Sequence, residues 1–141
     1  MNVFQAFAVS GSALEAERTR VDVAALNLAN ANVSRMPDGR AYQPMRVVLS
    51  GAGAAFRSQM GQAMAGVRVA SIEQVVAEPR LVHEPGHPDA DKNGFVSYPG
   101  VNLLTEMTTI MSAVRSYEAN LAALGAAKSM ALKALDIGGG A

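Results

Sequence analysis

The sequence predicts an α+β protein, an antiparallel, coiled-coil-like pair of long N- and C-terminal helices with a small β-rich, loop-rich insert between them. Near each end of the chain, apolar residues recur at alternating spacings of three and four, the pattern of an amphipathic helix with a coiled-coil seam. The intervening region is interrupted by proline and glycine and contains only short β-like runs. We therefore divide the chain into residues 1–33, 34–100 and 101–137 and a short tail, 138–141.

The first helix is predicted over residues 4–28, where apolar residues fall on one face at a period near 3.5. Its seam consists of Phe4, Phe7, Gly11, Leu14, Arg18, Val21, Ala25 and Leu28. Asn2 is the predicted N-cap, and Met36-Pro37 closes the region because proline disfavours helix in the preceding residue. At the far end, Asn27 and Asn30 are predicted to satisfy unpaired backbone groups with their side-chain amides.

The second helix is predicted over residues 103–135, roughly 50 Å at 1.5 Å per residue. Its seam consists of Leu103, Met107, Ile110, Val114, Tyr117, Leu121, Leu124, Lys128, Ala131 and Leu135. Asn102 is the predicted N-cap, and the glycines at 138–140 end the helix. Because both seams share one period, we predict that they lie antiparallel on one another, with the insert at the far end.

The faces away from the two seams are rich in alanine and poor in charge. A helix that covers a single core normally has a strongly charged outer face, so these faces favour contact on more than one side, as in a packed polymer. Alanine is also the best helix former, and simple helix propensity explains the same composition equally well. Arg18 and Lys128 interrupt the seams, either to fix register or with their stems reaching solvent.

The middle region is predicted to contain a turn, short strands and loops. Pro37-Asp38-Gly39 has turn chemistry, and residues 51–66 read as a flexible loop because they are rich in glycine, alanine and methionine without a period. The predicted strands are Tyr42 to Leu49 at a sheet edge, one or two strands within Val67 to Val76, and Phe95 to Tyr98. The proline-rich stretch from Pro79 to Asn93-Gly94 is predicted as loop.

The composition excludes several classes of function. The 12 basic and 12 acidic residues balance, which argues against nucleic-acid binding and against a polybasic membrane anchor. There is no cysteine for a disulfide or thiolate metal site. No apolar run approaches the roughly 20 residues of a membrane span, and the first residues lack the basic region of a cleavable signal peptide.

Two groups of residues resemble metal sites, and neither has the required context. His83 and His87 have helical ligand spacing, but the prolines between and after them forbid a regular helix. Asp89, Asp91 and Asn93 match the opening of a calcium-binding loop, whose twelfth position here is Gly100 instead of a bidentate carboxylate, so we interpret the segment that ends at Asn93-Gly94 as a turn. With no nucleophile elbow and no phosphate-binding glycine pattern, we predict no enzyme, cofactor or small-molecule substrate. A weak divalent-cation-binding module stays an alternative.

Several motifs resemble those of the flagellar axial proteins, which form the rod and hook. The first helix contains Ser10-Gly11-Ser12-Ala13-Leu14 and the element Asn27-Leu28-Ala29-Asn30. Further similar segments are Pro37 to Tyr42, Val82 to Ala90, Gly94 to Pro99, Glu106-Met107, Arg115 to Asn120 and Lys128 to Met130. The resemblance implies a structural subunit of the proximal rod of the bacterial flagellar basal body, the shaft that transmits torque from motor to hook.

The resemblance also implies partners, location and an interface. Such proteins are exported through the flagellum's own type III apparatus without signal cleavage, and assemble in the periplasmic space with copies of themselves and with other rod proteins. Their terminal helices form the inner rod layer. The implied subunit-interface residues are Phe4, Phe7, Leu14, Val21, Asn27, Leu28 and Asn30 on the first helix, and Leu103, Met107, Ile110, Val114, Tyr117, Leu121, Leu124 and Leu135 on the second. A self-associating helical module is the remaining alternative.

Overall fold

A computed structural model describes residues 3–52 and 66–138, and it confirms the α+β prediction. In chain order the elements are α1 (Val3–Asn30), β1 (Met45–Ala52), β2 (Gly66–Gln74), β3 (Arg80–His83), β4 (Phe95–Tyr98) and α2 (Leu103–Gly138). The strands form two separate antiparallel sheets, β1 with β2 and β3 with β4. In the part of the chain that the structure describes, neither helix combines the length and apolarity needed to cross a membrane.

Helix α1 is the central element of the fold. It contacts α2 and also both strands of the β1–β2 sheet. Ala16 and Ala24, which the seam assignment placed on the outer face, are buried together with Val23. The alanine-rich face of α1 therefore reflects contact on more than one side, and this contact is made within the chain. The insert does not stand only at the far end of the helices, because the β1–β2 sheet folds back onto α1.

Helix α2 is longer than α1, with 36 residues against 28. It begins where the sequence predicted, since the Thr105 amide donates to the Asn102 side-chain oxygen at 3.2 Å and makes Asn102 the N-cap. Among the described elements α2 contacts α1 and none of the four strands. The first turns of α2 and the C-terminal half of α1 line one cleft, as the antiparallel arrangement requires.

The β1–β2 sheet differs from the prediction at its boundaries. Gly51 and Gly66 belong to the strands, so the predicted loop 51–66 is too wide, and residues 53–65 lie outside the described part. Pro44 precedes β1 instead of lying within it, because proline has no amide to donate to the sheet. A register shift between Val48 and Leu49 interrupts the pairing.

The β3–β4 sheet contains a strand that was not predicted from the sequence. Strand β3 lies where loop was predicted, and it pairs from Arg80 opposite Tyr98 to His83 opposite Phe95. Both predicted turns are present: the Gly39 amide donates to the Met36 carbonyl, and the Gly94 amide to the Asp91 carbonyl. Both glycines have positive φ, near +80°, which explains their position there.

Candidate subunit interface

The side of α2 that packs in the helix pair is made of small residues. Ala113 and Ala127 are buried, and Ser116, Asn120 and Ala131 are half-buried. Since α1 also presents alanines, the two helices can approach closely. The periodicity of the sequence predicts the bulkier seam of α2 at this contact. That prediction of seam-to-seam pairing is wrong for most of α2, because the helix is rotated so that its small residues face inward.

The bulky seam residues of α2 lie instead along an exposed face. Seven exposed apolar residues form this face, which we call the α2 stripe: Leu103, Leu104, Met107, Met111, Val114, Tyr117 and Leu121. Leu104 is the most open, with 75% of its surface exposed, and Tyr117 the least, with 39%. Ile110 and Leu124 are half-buried at the edge of the helix pair. A continuous apolar face of this size is typical of an interaction surface.

The apolar exposure continues over residues 128–138, which we name the α2 end. Every residue in it is exposed except the half-buried Ala131. Leu135 and Ile137 expose 71% and 83% of their surface, and Leu132 is also open. Within the described residues, the large apolar side chains of the α2 end are therefore left uncovered by the chain.

The predicted interface residues of α1 are placed differently. Phe7, Leu14, Val21 and Leu28, spaced by seven, are all half-buried, whereas Arg18 is exposed. The side chain of Phe4 lies outside the described part. Much of the α1 seam is thus already covered within the chain, unlike the seam of α2.

Asn27 makes the buried polar contact that the sequence predicted. Its side chain is 1% exposed, donates to the Met45 carbonyl and accepts from the Met45 amide, both at 2.8 Å. The Tyr42 hydroxyl donates to the same side-chain oxygen at 2.8 Å. Asn30 is half-buried, and its amide donates to the carbonyl of Leu26 one turn earlier. Because these bonds are internal, we leave Asn27 out of the proposed subunit surface.

A second polar contact, which the sequence analysis did not single out, holds the other end of the β1–β2 hairpin. The Ser12 hydroxyl accepts a hydrogen bond from the Val67 amide at 3.2 Å and donates to the Val9 carbonyl at 2.8 Å. Ser12 and Asn27 lie about four turns apart, roughly 22 Å. The hairpin is therefore fixed along α1 at both of its ends.

The β3–β4 sheet is joined to the segment that follows α1. Arg80 donates to the Asn32 side chain at 2.9 Å, and the Ser34 hydroxyl donates to Asp89 at 2.7 Å. Arg35 lies 3.5 Å from the other oxygen of Asp89. Both sheets are thus connected to α1 or its continuation.

The candidate cation ligands are engaged in building turns. One Asp91 oxygen accepts from the amides of Asn93 and Phe95, at 2.8 and 2.9 Å. Nδ1 of His87 accepts from the Asp89 amide at 3.1 Å, and His83 makes an edge contact with Phe95. Across residues 3–52 and 66–138 no group of three potential ligands converges. These contacts support the turn interpretation of the segment.

Tyr98 is the central side chain of the β3–β4 sheet. It is buried, and its hydroxyl donates to Glu84 at 2.9 Å while Arg80 lies over its ring at 5.3 Å. The hydrogen bond to Glu84, together with burial, raises the pKa of Tyr98 above its ordinary value near 10. The pKa of Tyr42 is also raised, by burial and by the negative charge of Glu106.

An open cleft of about 450 Å³ lies between the C-terminal half of α1, the first turns of α2 and the β1–β2 sheet. Its walls are mainly apolar and include Val23, Val47, Val75 and Val101. Its charged lining residues are Arg20, Arg46 and Glu106. The Arg20 side chain is paired with Glu17 at 2.9 Å, whereas Arg46 is largely open to solvent.

Comparison with known families defines the class of this helix-ended chain. The family model "Flagella basal body rod protein" matches residues 7–35, and "Flagellar basal body rod FlgEFG protein C-terminal" matches residues 92–137. These matches fall on α1 with the residues after it and on α2 with the residues before it. The class is that of the flagellar basal-body rod proteins.

Similar proteins extend this match over nearly the whole chain. The flagellar basal-body rod protein FlgC of Salmonella typhimurium is 46% identical over 98% of this chain and 99% of its own length. The proteins of that name from Escherichia coli O157:H7 and Bacillus subtilis are 44% and 40% identical, with the same coverage. The chain belongs to the FlgC family of flagellar basal-body rod proteins, and the resemblance seen in its sequence motifs is confirmed.

Proposed function

We propose that this chain, a structural subunit of the flagellar basal-body rod, assembles by burying the α2 stripe against neighbouring subunits. The single observation that carries this proposal is the exposure of the stripe on a helix whose inward side is already filled by alanine. Each stripe side chain still exposes about 40% or more of its surface, so covering one contributes roughly 1 kcal/mol. Several such contacts per subunit favour a stable polymer.

The predicted interface residues divide between two roles in this proposal. Leu103, Met107, Val114, Tyr117 and Leu121 are the intersubunit residues, together with Leu135 of the α2 end. Phe7, Leu14, Val21 and Leu28 contribute the fraction of their surface that the chain leaves open. The terminal helices then form the inner layer of the rod, and torque passes from motor to hook through their packing.

A charge in the stripe tests this assignment. Leu121→Asp places a charge where apolar cover is expected, and we expect few rods and little motility in cells that carry it. Ser112→Asp, at an exposed position off the stripe on the same helix, is the matched control and should leave motility nearly unchanged. Normal rods with Leu121→Asp would refute a stripe-mediated assembly.

We also propose that the chain reaches the periplasmic part of the rod through the flagellum's own type III export apparatus, and that the segment forming α1 is retained in the assembled subunit. Support comes from α1, which begins at Val3 and whose Ala16, Val23 and Ala24 are part of the core. Loss of this segment would remove the helix that contacts both α2 and the β1–β2 sheet. Mass spectrometry of the subunit from isolated basal bodies should find the peptide covering residues 3–20; its absence would contradict this route.

The partners in this proposal are other copies of the chain and other rod proteins, and its role is structural instead of enzymatic. A freely self-associating helical module is the competing function, favoured by the same exposed stripe. Sedimentation of the purified chain separates the two. A closed dimer that persists at low concentration, together with its absence from basal bodies, would favour the competing function.

A further inference from the structure

The two ends of α2 carry surfaces that complement each other but cannot meet within one chain. The cleft lies beside the first turns of α2, around Glu106, and the open apolar residues of the α2 end lie around Leu135. Because the cleft borders the start of α2 and the open apolar residues lie at its end, the two surfaces are roughly 44 Å apart along the axis of α2. Any contact between these two kinds of surface must join different molecules.

We propose that the cleft receives the apolar end of the C-terminal helix of the axially neighbouring rod subunit, and that the α2 end of this chain docks in the same way further along. The proposal rests on the proposed function as a rod subunit, and it names the surfaces through which successive subunits meet end to end. The occupant is a helix end of the chemistry seen here, with open leucine and isoleucine side chains and charges of both signs.

The size and lining of the cleft fit such an occupant. Its volume of about 450 Å³ and its valine walls suit a few apolar side chains of a helix docking in a groove. In the α2 end, Leu132 and Leu135 are three apart and point to one side of the helix, as groove-binding anchors do. Both surfaces also carry both charges: Arg46 and Glu106 line the cleft, and Lys133 and Asp136 lie on the α2 end.

The symmetry of this contact agrees with an extended assembly. Two different surfaces joined head to tail do not close after two subunits, and when their rotation does not bring the chain back on itself they build an open helical filament. If α2 lies parallel to the rod axis, the spacing between cleft and α2 end gives an axial repeat of roughly 44 Å for this contact. A self-complementary contact through the stripe alone would stop at a dimer.

Photo-crosslinking in assembled basal bodies tests the proposal. The amino acid p-benzoylphenylalanine is placed at position 46 in the cleft, with position 81 on the β3–β4 sheet as the matched exposed control. After irradiation, the expected partner peptide at position 46 comes from the last turns of the C-terminal helix of a rod subunit. Position 81 should not capture that peptide. The reciprocal probe at position 137 should capture a segment lining the cleft of its neighbour.

The outcomes separate this inference from the function it rests on. Crosslinks from position 46 to any other segment, or none while the chain is present in the basal body, overturn the docking alone. Absence of the unsubstituted chain from basal bodies overturns the proposed function instead. If the probe at position 46 prevents incorporation, position 105 in the same cleft takes its place, and the same peptide is expected.

Discussion

The side-chain amide of Asn27 both donates to and accepts from the backbone of Met45 at the start of β1. A neighbouring strand would make the same pair of hydrogen bonds. With the Tyr42 hydroxyl also bound, three polar groups depend on one buried side chain. A buried polar group that loses its partner costs more than an average hydrogen bond contributes. The junction between α1 and the sheet therefore depends heavily on this residue.

We predict that Asn27→Ala lowers the free energy of unfolding by roughly 2–4 kcal/mol, because it leaves the Met45 backbone and the Tyr42 hydroxyl without partners. Urea unfolding followed by circular dichroism measures the change. Asn30→Ala is the control, since its hydrogen bond is local and more open to solvent, and it should cost less than about 1 kcal/mol. Equal losses in the two variants would contradict this role for Asn27.

The ionisation of Tyr98 is expected to make the free energy of unfolding depend on pH in the alkaline range. Its pKa is raised in the folded chain, mainly by the hydrogen bond to Glu84, so the folded chain holds this proton more firmly than the unfolded chain. The free energy of unfolding is then expected to fall as pH rises above about 10, where the unfolded chain ionises first. Urea unfolding at several pH values should show a shallower decline for Tyr98→Phe. Tyr42→Phe serves as a comparison, and an unchanged decline in Tyr98→Phe would exclude the effect.

At the scale of elements, the helices could be predicted from the sequence because their signals are local. Periodicity and the Asn102 cap located α2, and the amide of Asn27 suggested its buried contact. Strand β3 could not be predicted in this way, because it is four residues long and exists through its pairing with β4 and the Arg80–Asn32 bond. These contacts join residues far apart in sequence.

The predicted orientation of α2 was wrong for a related reason. An apolar stripe in a sequence shows that some neighbour is expected but does not identify it. The strongest apolar stripe of α2 is predicted to face α1, whereas Ala113 and Ala127 take that place. The bulky stripe and the small one lie on adjacent faces of the same helix, and close packing between small residues decides which is used within the chain.

Gly100 lies against Ala77 and Glu78, and this close approach predicts the effect of adding a side chain there. A Cβ at Gly100 would lie 2.9 Å from Ala77 Cβ and would overlap the Glu78 carbonyl, whereas one at Gly125 in α2 would meet nothing within 4 Å. Gly100→Ala should therefore lower the free energy of unfolding by roughly 1–3 kcal/mol. Gly125→Ala should raise it by up to about 1 kcal/mol, since alanine favours helix. Thermal unfolding of the two variants checks the opposite signs.

The whole molecule is asymmetric in how far its two long helices are covered. Helix α1 lies between α2 and the β1–β2 sheet, whereas α2 contacts α1 and leaves its stripe and its end open. We therefore expect the stability of the single chain and its assembly into a rod to depend on largely different residues. Substitutions in the core should affect the first, and substitutions on α2 the second.

Glutamine at Leu132, Leu135 and Ile137 together tests this separation. All three side chains are exposed and glutamine is a good helix former, so the free energy of unfolding should change by less than about 1 kcal/mol. Incorporation into basal bodies, measured by immunoblot of purified particles, should fall sharply. The control is Ala123→Gln with Ala126→Gln, two exposed positions of the same helix outside the stripe and the α2 end, which should incorporate normally. If the triple variant incorporates normally, the α2 end has no part in assembly.

The contact between α1 and α2 also constrains the order of events when the chain folds. The two helices are separated in sequence by the whole of residues 31–102, and closing so long a loop is costly before the contact rewards it. A chain that emerges from its N-terminus first leaves the side of α1 that packs on α2 exposed until residues 103–138 have followed. Completion of the fold then coincides with arrival of the last helix, so a chain that emerges in this order reaches its final fold only near the end of its emergence.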